Sequence, residues 1–300
     1  VTTFRLQNNK RRLYYRVRGT GEHLLLIHGL GSTGADWECQ VRALEQRFRV
    51  IVPDLPGCGF SSSPEGDFSI SDLANTLWML LDHLKVPAIN IAGFSLGGAV
   101  ALEMALQRPQ CVPRLALINT LLTYSINHWR KWLEARLTPL FIGLLGMKRT
   151  AKFAAARLFP KPWQRPIRER AAHVIGCADT STYLGMARAL ERWSAVSRLS
   201  TLEARTLMIA AEHDFTPLAE KVEMAKALGA QIAVIHGSRH ATPFDSMEAT
   251  NACLLALLRD RRICATRRLQ CDGAPGSSRL ARLARLVDER TSLHCLEFGA

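Results

Sequence analysis

Short apolar runs separated by amphipathic stretches set the rhythm of this chain up to residue 119. Residues 12–18 read as an early strand, with Gly19-Thr20-Gly21 as the turn after it. His23-Leu24-Leu25-Leu26-Ile27 is a continuous apolar run ending at His28-Gly29. Arg49-Val50-Ile51-Val52, Ile89-Asn90-Ile91-Ala92 and Arg114-Leu115-Ala116-Leu117-Ile118-Asn119 are further strand-like runs. An unbroken apolar run is what a strand of a parallel sheet needs, because helices cover both of its faces. Helical spacing fills the gaps: residues 36–46, residues 71–84 and residues 96–107, the last closed by Pro109. In the second of these Leu73, Leu77, Leu80, Leu81 and Leu84 share one face, with Ser71 as the expected N-cap. Strands and helices thus alternate as right-handed βαβ units do. The pattern predicts an α/β fold with a doubly wound, mostly parallel sheet.

The rhythm stops after Asn119. Residues 121–200 are mostly helical in pattern, rich in Trp and Arg, and broken at Pro139, Pro160, Pro162 and Pro166. Strand-like runs return at residues 206–210 and 231–235, and residues 245–259 read as a final helix. The expected organisation is an α/β core from residues 1–120 and 201–260, with residues 121–200 inserted as a helical cap between two halves of one sheet. Residues 261–300 read as a basic C-terminal tail, either flexible or a loosely docked helix. No internal repeat is visible.

Composition agrees with this division. The chain has 300 residues, 48% of them apolar, enough for one large domain with an inserted subdomain. No apolar run approaches the roughly 20 residues of a membrane span. Val1-Thr2-Thr3-Phe4-Arg5 lacks the apolar stretch of a secretory signal, so a soluble cytoplasmic protein is expected. Eight cysteines show neither a C-x-x-C pair nor metal-ligand spacing, and reduced thiols are expected. The net charge of +13 is unevenly placed: residues 121–200 carry 14 basic and 4 acidic groups, and residues 261–300 carry 8 and 4. The segments expected to form the core are close to neutral.

The chemistry gathers at the ends of the strands. Gly93-Phe94-Ser95-Leu96-Gly97 is a G-x-S-x-G segment between a β-rich run and a helix. A turn that sharp lifts Ser95 above the sheet, and a Cβ at Gly93 or Gly97 would collide with neighbouring backbone. A serine hydroxyl needs a base. His240 follows a strand and a loop at the same sheet edge and is the favoured candidate, ahead of His236, His28 and His213. The base needs a carboxylate to orient it. Asp214, in Glu212-His213-Asp214-Phe215-Thr216-Pro217, stands first, with Glu212 as runner-up. The preceding strand ends in Asn119, which cannot carry the charge. The order Ser95, Asp214, His240 suits this arrangement. Backbone N–H groups of Leu96 and Leu30 are the expected oxyanion donors. His28 would brace the Gly29-Leu30-Gly31 loop through its ring, and Asp54 with the Gly57-x-Gly59 turn would fix a neighbouring loop. The chemistry calls for no metal and no organic cofactor.

With these residues in view, the chain resembles the α/β-hydrolase superfamily. His28-Gly29, Asp54-Leu55-Pro56-Gly57-Cys58-Gly59-Phe60-Ser61, Gly93 through Gly98, and the segments around Asp214 and His240 carry the resemblance, which spans residues 12–259. It implies hydrolysis through an acyl-enzyme, in which Ser95 attacks, His240 shuttles the proton and Asp214 orients it. The chain is similar to bacterial carboxylesterases, 3-oxoadipate enol-lactonases and the pimeloyl-carrier-protein methyl esterase. A serine at the elbow argues against the haloalkane dehalogenase and epoxide hydrolase branches, which place an aspartate there. Ala241 departs from the carbon–carbon bond hydrolases, which often carry a bulkier residue after the base.

The expected substrate is a small-molecule carboxylic ester. Trp129, Trp132, Trp163 and Trp193 sit in the cap among Arg130, Lys131, Arg136, Lys148, Arg149, Lys152, Arg157, Arg165, Arg168 and Arg170. They read first as a solvated helical face with apolar stripes packed on the core. A second reading has the basic cap steering an anionic substrate or an acidic carrier protein, as an enol-lactonase or thioesterase-like enzyme would use it. A third is contact with an anionic membrane surface, aided by Arg279-Leu280-Ala281-Arg282-Leu283-Ala284-Arg285-Leu286-Val287. No nucleic-acid reading motif is present. From another class comes a catalytically silent binding protein on the same fold.

Overall fold

Strand residues alternate between two faces, and each face here finds its own layer of helices. The computed structural model describes residues 2–5, 11–64, 66–124, 129–259 and 295–296. These form one sheet from β1 (Thr2–Arg5), β2 (Arg12–Arg18), β3 (Glu22–Ile27), β4 (Phe48–Pro53), β5 (Asn90–Phe94), β6 (Arg114–Ile118), β7 (Arg205–Ala211), β8 (Gln231–Ile235) and β9 (Cys295–Leu296). The spatial order is β1-β2-β4-β3-β5-β6-β7-β8-β9. β3 to β8 are parallel; β1 on β2, β2 on β4 and β9 on β8 are antiparallel. The chain winds outward from β3 to β4, then returns to set β5 on the other side of β3. Such a reversal opens a crevice beyond the carboxyl ends of the strands, where ligands bind in open α/β sheets.

The helices are α1 (Glu38–Leu44), α2 (Ile70–His83), α3 (Leu96–Gln107), α4 (Trp129–Leu145), α5 (Met147–Leu158), α6 (Arg165–Gly176), α7 (Thr180–Glu191), α8 (Leu218–Ala227), α9 (Thr242–Asp245) and α10 (Met247–Leu258). Leu25, Ile27, Ile91, Leu115 and Leu117 pack with Leu73, Leu77 and Leu81 of α2 and with Val100 and Met104 of α3. The alternate residues Leu24, Leu26, Ala92, Ala116 and Ile118 pack with Val41 and Leu44 of α1 and Leu254 and Leu257 of α10. Each fully buried Leu or Ile in these layers contributes about 1.5–3 kcal/mol.

One boundary differs from the sequence expectation. Ser69, not Ser71, caps α2: its hydroxyl accepts from the Asp72 N–H at 3.1 Å, and Asp72 Oδ2 accepts from the Ser69 N–H at 2.8 Å. That reciprocal pair satisfies two end-of-helix groups at once and outcompetes a lone serine. Ser71 instead points inward and donates to Glu103 at 3.1 Å.

Among the described residues, four α-helices, α4 to α7, lie between β6 and β7. Their apolar positions divide: Met186 and Ala189 of α7 pack on the sheet core, as expected, whereas Ile142, Met147, Ala151 and Ile175 form a small apolar cluster of their own. Past α7, Trp193 ties the segment to the core: it is buried and its indole N–H donates to the buried Glu103 at 2.8 Å. Arg198 grips both oxygens of the same carboxylate at 2.9 and 2.7 Å. Trp163 is exposed. The side chains of Trp129, Arg130, Lys131, Trp132 and Arg136, and the segment 279–287, lie outside the described residues. No helix among the described residues is long and apolar enough to cross a membrane. The described cysteines Cys39, Cys58, Cys111, Cys177 and Cys253 are free thiols.

Candidate active site

Ser95 sits between the end of β5 and the first residue of α3, with φ of 53° and ψ of −118°. An L-residue held at positive φ costs on the order of 1–3 kcal/mol, which the surrounding contacts must offset. The Ser95 N–H donates to Ile118 O at 2.8 Å, and Thr120 Oγ1 donates to Ser95 O at 2.8 Å. A Cβ at Gly93 would strike Gly97 O, and one at Gly97 would strike the carbonyls of Ile27 and His28. Only glycines let β5, the turn and α3 approach so closely.

The three side chains singled out from the sequence lie in one hydrogen-bonded line. Ser95 Oγ is 3.0 Å from His240 Nε2, and His240 Nδ1 is 2.8 Å from Asp214 Oδ1. With the carboxylate ionised, Nδ1–H donates to Asp214, which leaves the Nε2 lone pair for the Ser95 hydroxyl. Burial pushes the Asp214 carboxyl upward, but the hydrogen bond and charge of His240, together with Lys221, hold it well below the usual carboxylate range. Glu212, the runner-up, is elsewhere. It accepts from the Gly237 N–H at 2.8 Å and faces His236 Nδ1 at 3.4 Å and His213 Nε2 at 3.7 Å.

The loops around this line are held by buried polar contacts. His28 is buried; its Nδ1–H donates to Gly29 O at 2.9 Å and its Nε2 accepts from the Leu55 N–H at 2.9 Å. Burial lowers its basicity, against the Gly29 carbonyl and the Asp54 charge, so the ring stays neutral and both bonds persist. Asp54 accepts from the Gly34 and Phe60 N–H groups at 2.8 and 2.9 Å. Leu96 opens α3, so its N–H has no acceptor within the helix, and Leu30 lines the same cavity as Ser95.

Five contributors were not singled out as site residues from the sequence. Asn119, considered only as a failed acid, has φ of 47° and ties the site together. Its Nδ2 donates to His240 O at 2.7 Å and Thr242 Oγ1 at 2.6 Å, while its Oδ1 accepts from the Ala211 N–H at 2.8 Å. Lys221, fully buried in α8, contacts both Asp214 and Asn119. Thr216 Oγ1 donates to Asp214 Oδ2 at 2.7 Å. The Phe215 ring lies 4.0 Å from the His240 ring, with Phe94 at 5.2 Å. Nothing in the local pattern of Leu218–Ala227 marks Lys221 as buried.

Ser95 and His240 open into a cavity of about 590 Å³ whose apolar wall includes Phe94, Leu158, Phe159, Ile167, Val174 and Phe244. Arg157, Arg170 and Arg239 are also on its wall. Arg170 pairs with Asp36 at 2.9 Å, linking α6 to the loop before α1. Among the described residues no cluster of three or more His, Cys, Asp or Glu could hold a metal.

A family model described as alpha/beta hydrolase fold matches residues 22–244. An uncharacterized protein of Mycobacterium tuberculosis is 37% identical over 183 residues, 61% of this chain and 49% of that protein. The chain thus spans about half the length of the first curated relatives it matches. The pimeloyl-[acyl-carrier protein] methyl ester esterase of Vibrio cholerae is 42% identical over 106 residues, 35% of this chain and 40% of that one. The crystal structure of a hydrolase from Pseudomonas aeruginosa superposes with a TM-score of 0.75 at 26% identity, over 86% of this chain and 97% of that one.

Proposed function

This chain belongs to the α/β-hydrolase fold family, and from that premise we propose that it is a serine hydrolase that cleaves carboxylic esters through an acyl-enzyme. One observation carries the reading: an unbroken line from Ser95 Oγ through His240 to Asp214, with links of 3.0 and 2.8 Å, opening into a largely apolar cavity. As the Ser95 oxygen attacks the ester carbonyl, His240 Nε2 takes its proton, and the negative charge that builds on the carbonyl oxygen falls to the Leu30 and Leu96 N–H groups. His240 then protonates the departing alcohol. A water, deprotonated by the same ring, attacks the acyl-serine and releases the acid. The cavity volume and its apolar wall suit small to medium acyl groups.

Arg157, Arg170 and Arg239 on the cavity wall favour a second reading, hydrolysis of an anionic lactone or thioester. Either reading places the nucleophile at Ser95. The deciding experiment is labelling by a fluorophosphonate probe, with peptide mapping, of the wild type and Ser95→Ala. A single adduct on Ser95, absent from the variant, together with a loss of esterase turnover of roughly 10⁴-fold or more, is expected. A folded wild type that takes no label and turns over no ester would leave a binding protein on this fold.

A further inference from the structure

A lysine removed from water needs a partner, and Lys221 has two. Its side chain and that of Asp214 are both 0% exposed. The Lys221 ammonium donates to Asp214 Oδ2, and to Asn119 Oδ1 at 3.1 Å. Asp214 Oδ1 is left to His240. The backbone puts these groups together: Asn119 follows β6, Asp214 follows β7, and Lys221 lies in the first turn of α8, seven residues beyond the acid.

We infer that Lys221 is a positioning residue of the Ser95–His240–Asp214 line: it fixes the outer oxygen of Asp214 and supplies the charge that balances this carboxylate. The inference rests on the proposed hydrolase reading and concerns the electrostatics of the same site. A buried ion pair adds little net stability, because desolvating two ions offsets most of their attraction. What it adds here is a fixed positive charge on the far side of the carboxylate that His240 uses. Without that charge the buried site carries a net negative charge while the imidazole is neutral, and protonating the ring relieves it. With it, the neutral ring is the balanced state and a protonated ring leaves an excess positive charge. Lys221 therefore preserves the basic form of the site into more acidic solution. During acyl transfer the oxyanion that forms with the imidazolium restores the balance. Burial lowers the Lys221 ammonium from its ordinary value, and the Asp214 charge opposes that loss. Beside a carboxylate held ionised, a neutral amine would leave a buried charge unpaired, so the ammonium is the form present.

Other titratable or charged groups border the pair. Tyr124 is pushed up to about 12 by burial and stays a neutral phenol. Glu220 precedes Lys221 on α8, His213 and Arg239 line the cavity beside His240, and Asp245 binds Ser238 Oγ and the Arg239 N–H at 2.6 and 2.8 Å. None of these touches Asp214 Oδ2, which is held by Lys221 and Thr216.

The test uses Lys221→Met and Lys221→Gln in the full chain. The glutamine amide can still donate to Asp214 and Asn119, so that variant removes charge while keeping a hydrogen-bonding partner. Two readouts are taken from pH 4 to 9. One is the low-pH limb of kcat/KM on a neutral p-nitrophenyl ester. The other needs no turnover: the pH midpoint of the downfield NMR signal of the imidazole N–H shared with Asp214, assigned with His240→Gln. Both midpoints should move upward by about one pH unit in each variant. Activity should therefore fall about tenfold on the acid side and far less above neutrality. A uniform loss at every pH with unmoved midpoints would overturn the inference and leave Lys221 a support of the fold. A moved NMR midpoint in a protein that hydrolyses no ester and takes no fluorophosphonate would uphold the charge role while removing the hydrolase reading.

Discussion

Glu212 and Asp214 stand two residues apart in one loop, yet they serve different histidines. Asp214 Oδ1 meets His240, while Glu212 turns to Gly237 and His236. The difference is one of environment: the Asp214 side chain is 0% exposed and held by three donors, whereas that of Glu212 is 37% exposed. Asp214→Asn removes the charge and puts an amide where His240 Nδ1–H needs an acceptor, so kcat for a p-nitrophenyl ester should fall by about 10⁴-fold. Glu212→Gln should stay within about twofold in the same assay. Equal losses in the two variants would mean that the acid has been misassigned. The two residues also show how far sequence could reach at this scale. Both were visible as loop carboxylates at the correct sheet edge; the order along the chain suits either, with Asp214 placed first and Glu212 as runner-up. Lys221 was not visible, because its partner Asp214 is met only when α8 folds back on the end of β7.

At the scale of elements, Glu103 joins α3 to the segment that follows the inserted helices. Its carboxylate receives the Trp193 indole, both arms of Arg198 and the Ser71 hydroxyl. Burial alone would raise its titration, yet the Arg198 and Trp193 hydrogen bonds bring it below the ordinary glutamate value of 4.5. A depressed carboxylate contributes stability that is full above its unfolded value and is lost as pH falls through the folded value. Glu103→Gln should therefore lower stability at pH 7 by about 2 kcal/mol in urea, since Arg198 is partly solvated and loses only part of its partner's worth. As pH falls below the ordinary glutamate value and through the depressed folded one, the wild type should lose more stability than the variant does, with the two curves converging at the acid end. Parallel curves would show that this carboxylate is not what carries the acid sensitivity. The helices themselves were legible, because their apolar positions recur every three to four residues. The α2 cap was misplaced by two residues, since Ser69 and Ser71 are chemically alike. Asp72 separates them by completing a reciprocal pair with Ser69 alone.

Across the whole molecule, charge and cavity meet at one mouth. Residues 121–200 hold most of the excess positive charge, and Arg157 and Arg170 bring part of it to the wall of the Ser95 cavity, where Arg239 joins them. If this field guides substrates, an ester or lactone bearing a carboxylate should show a higher kcat/KM than its neutral analogue at low salt. The gain should shrink severalfold as ionic strength rises to about 0.5 M, because the Debye length falls to about 4 Å and screens the field. Arg239→Gln should reduce the gain without changing turnover of the neutral analogue. A gain that salt leaves untouched would point to direct contact rather than steering.

The sequence by itself determined what depends on neighbours along the chain. Apolar runs of four to six residues specified buried parallel strands, helical spacing specified the layers around them, and the glycines flanking Ser95 specified a turn too tight for any Cβ. Tertiary structure alone decided what depends on residues brought from afar. It chose Asp214 over Glu212 as the partner of His240, buried Lys221 against the outer oxygen of that carboxylate, and made Asn119 a tie between β6 and the His240 loop. It also anchored the end of the insertion through Trp193 and Arg198 on Glu103, some ninety residues away. The physical reason is the range of each interaction. Backbone geometry and amphipathic spacing act within a few residues, whereas the worth of a buried charge depends on which other charges the fold places around it.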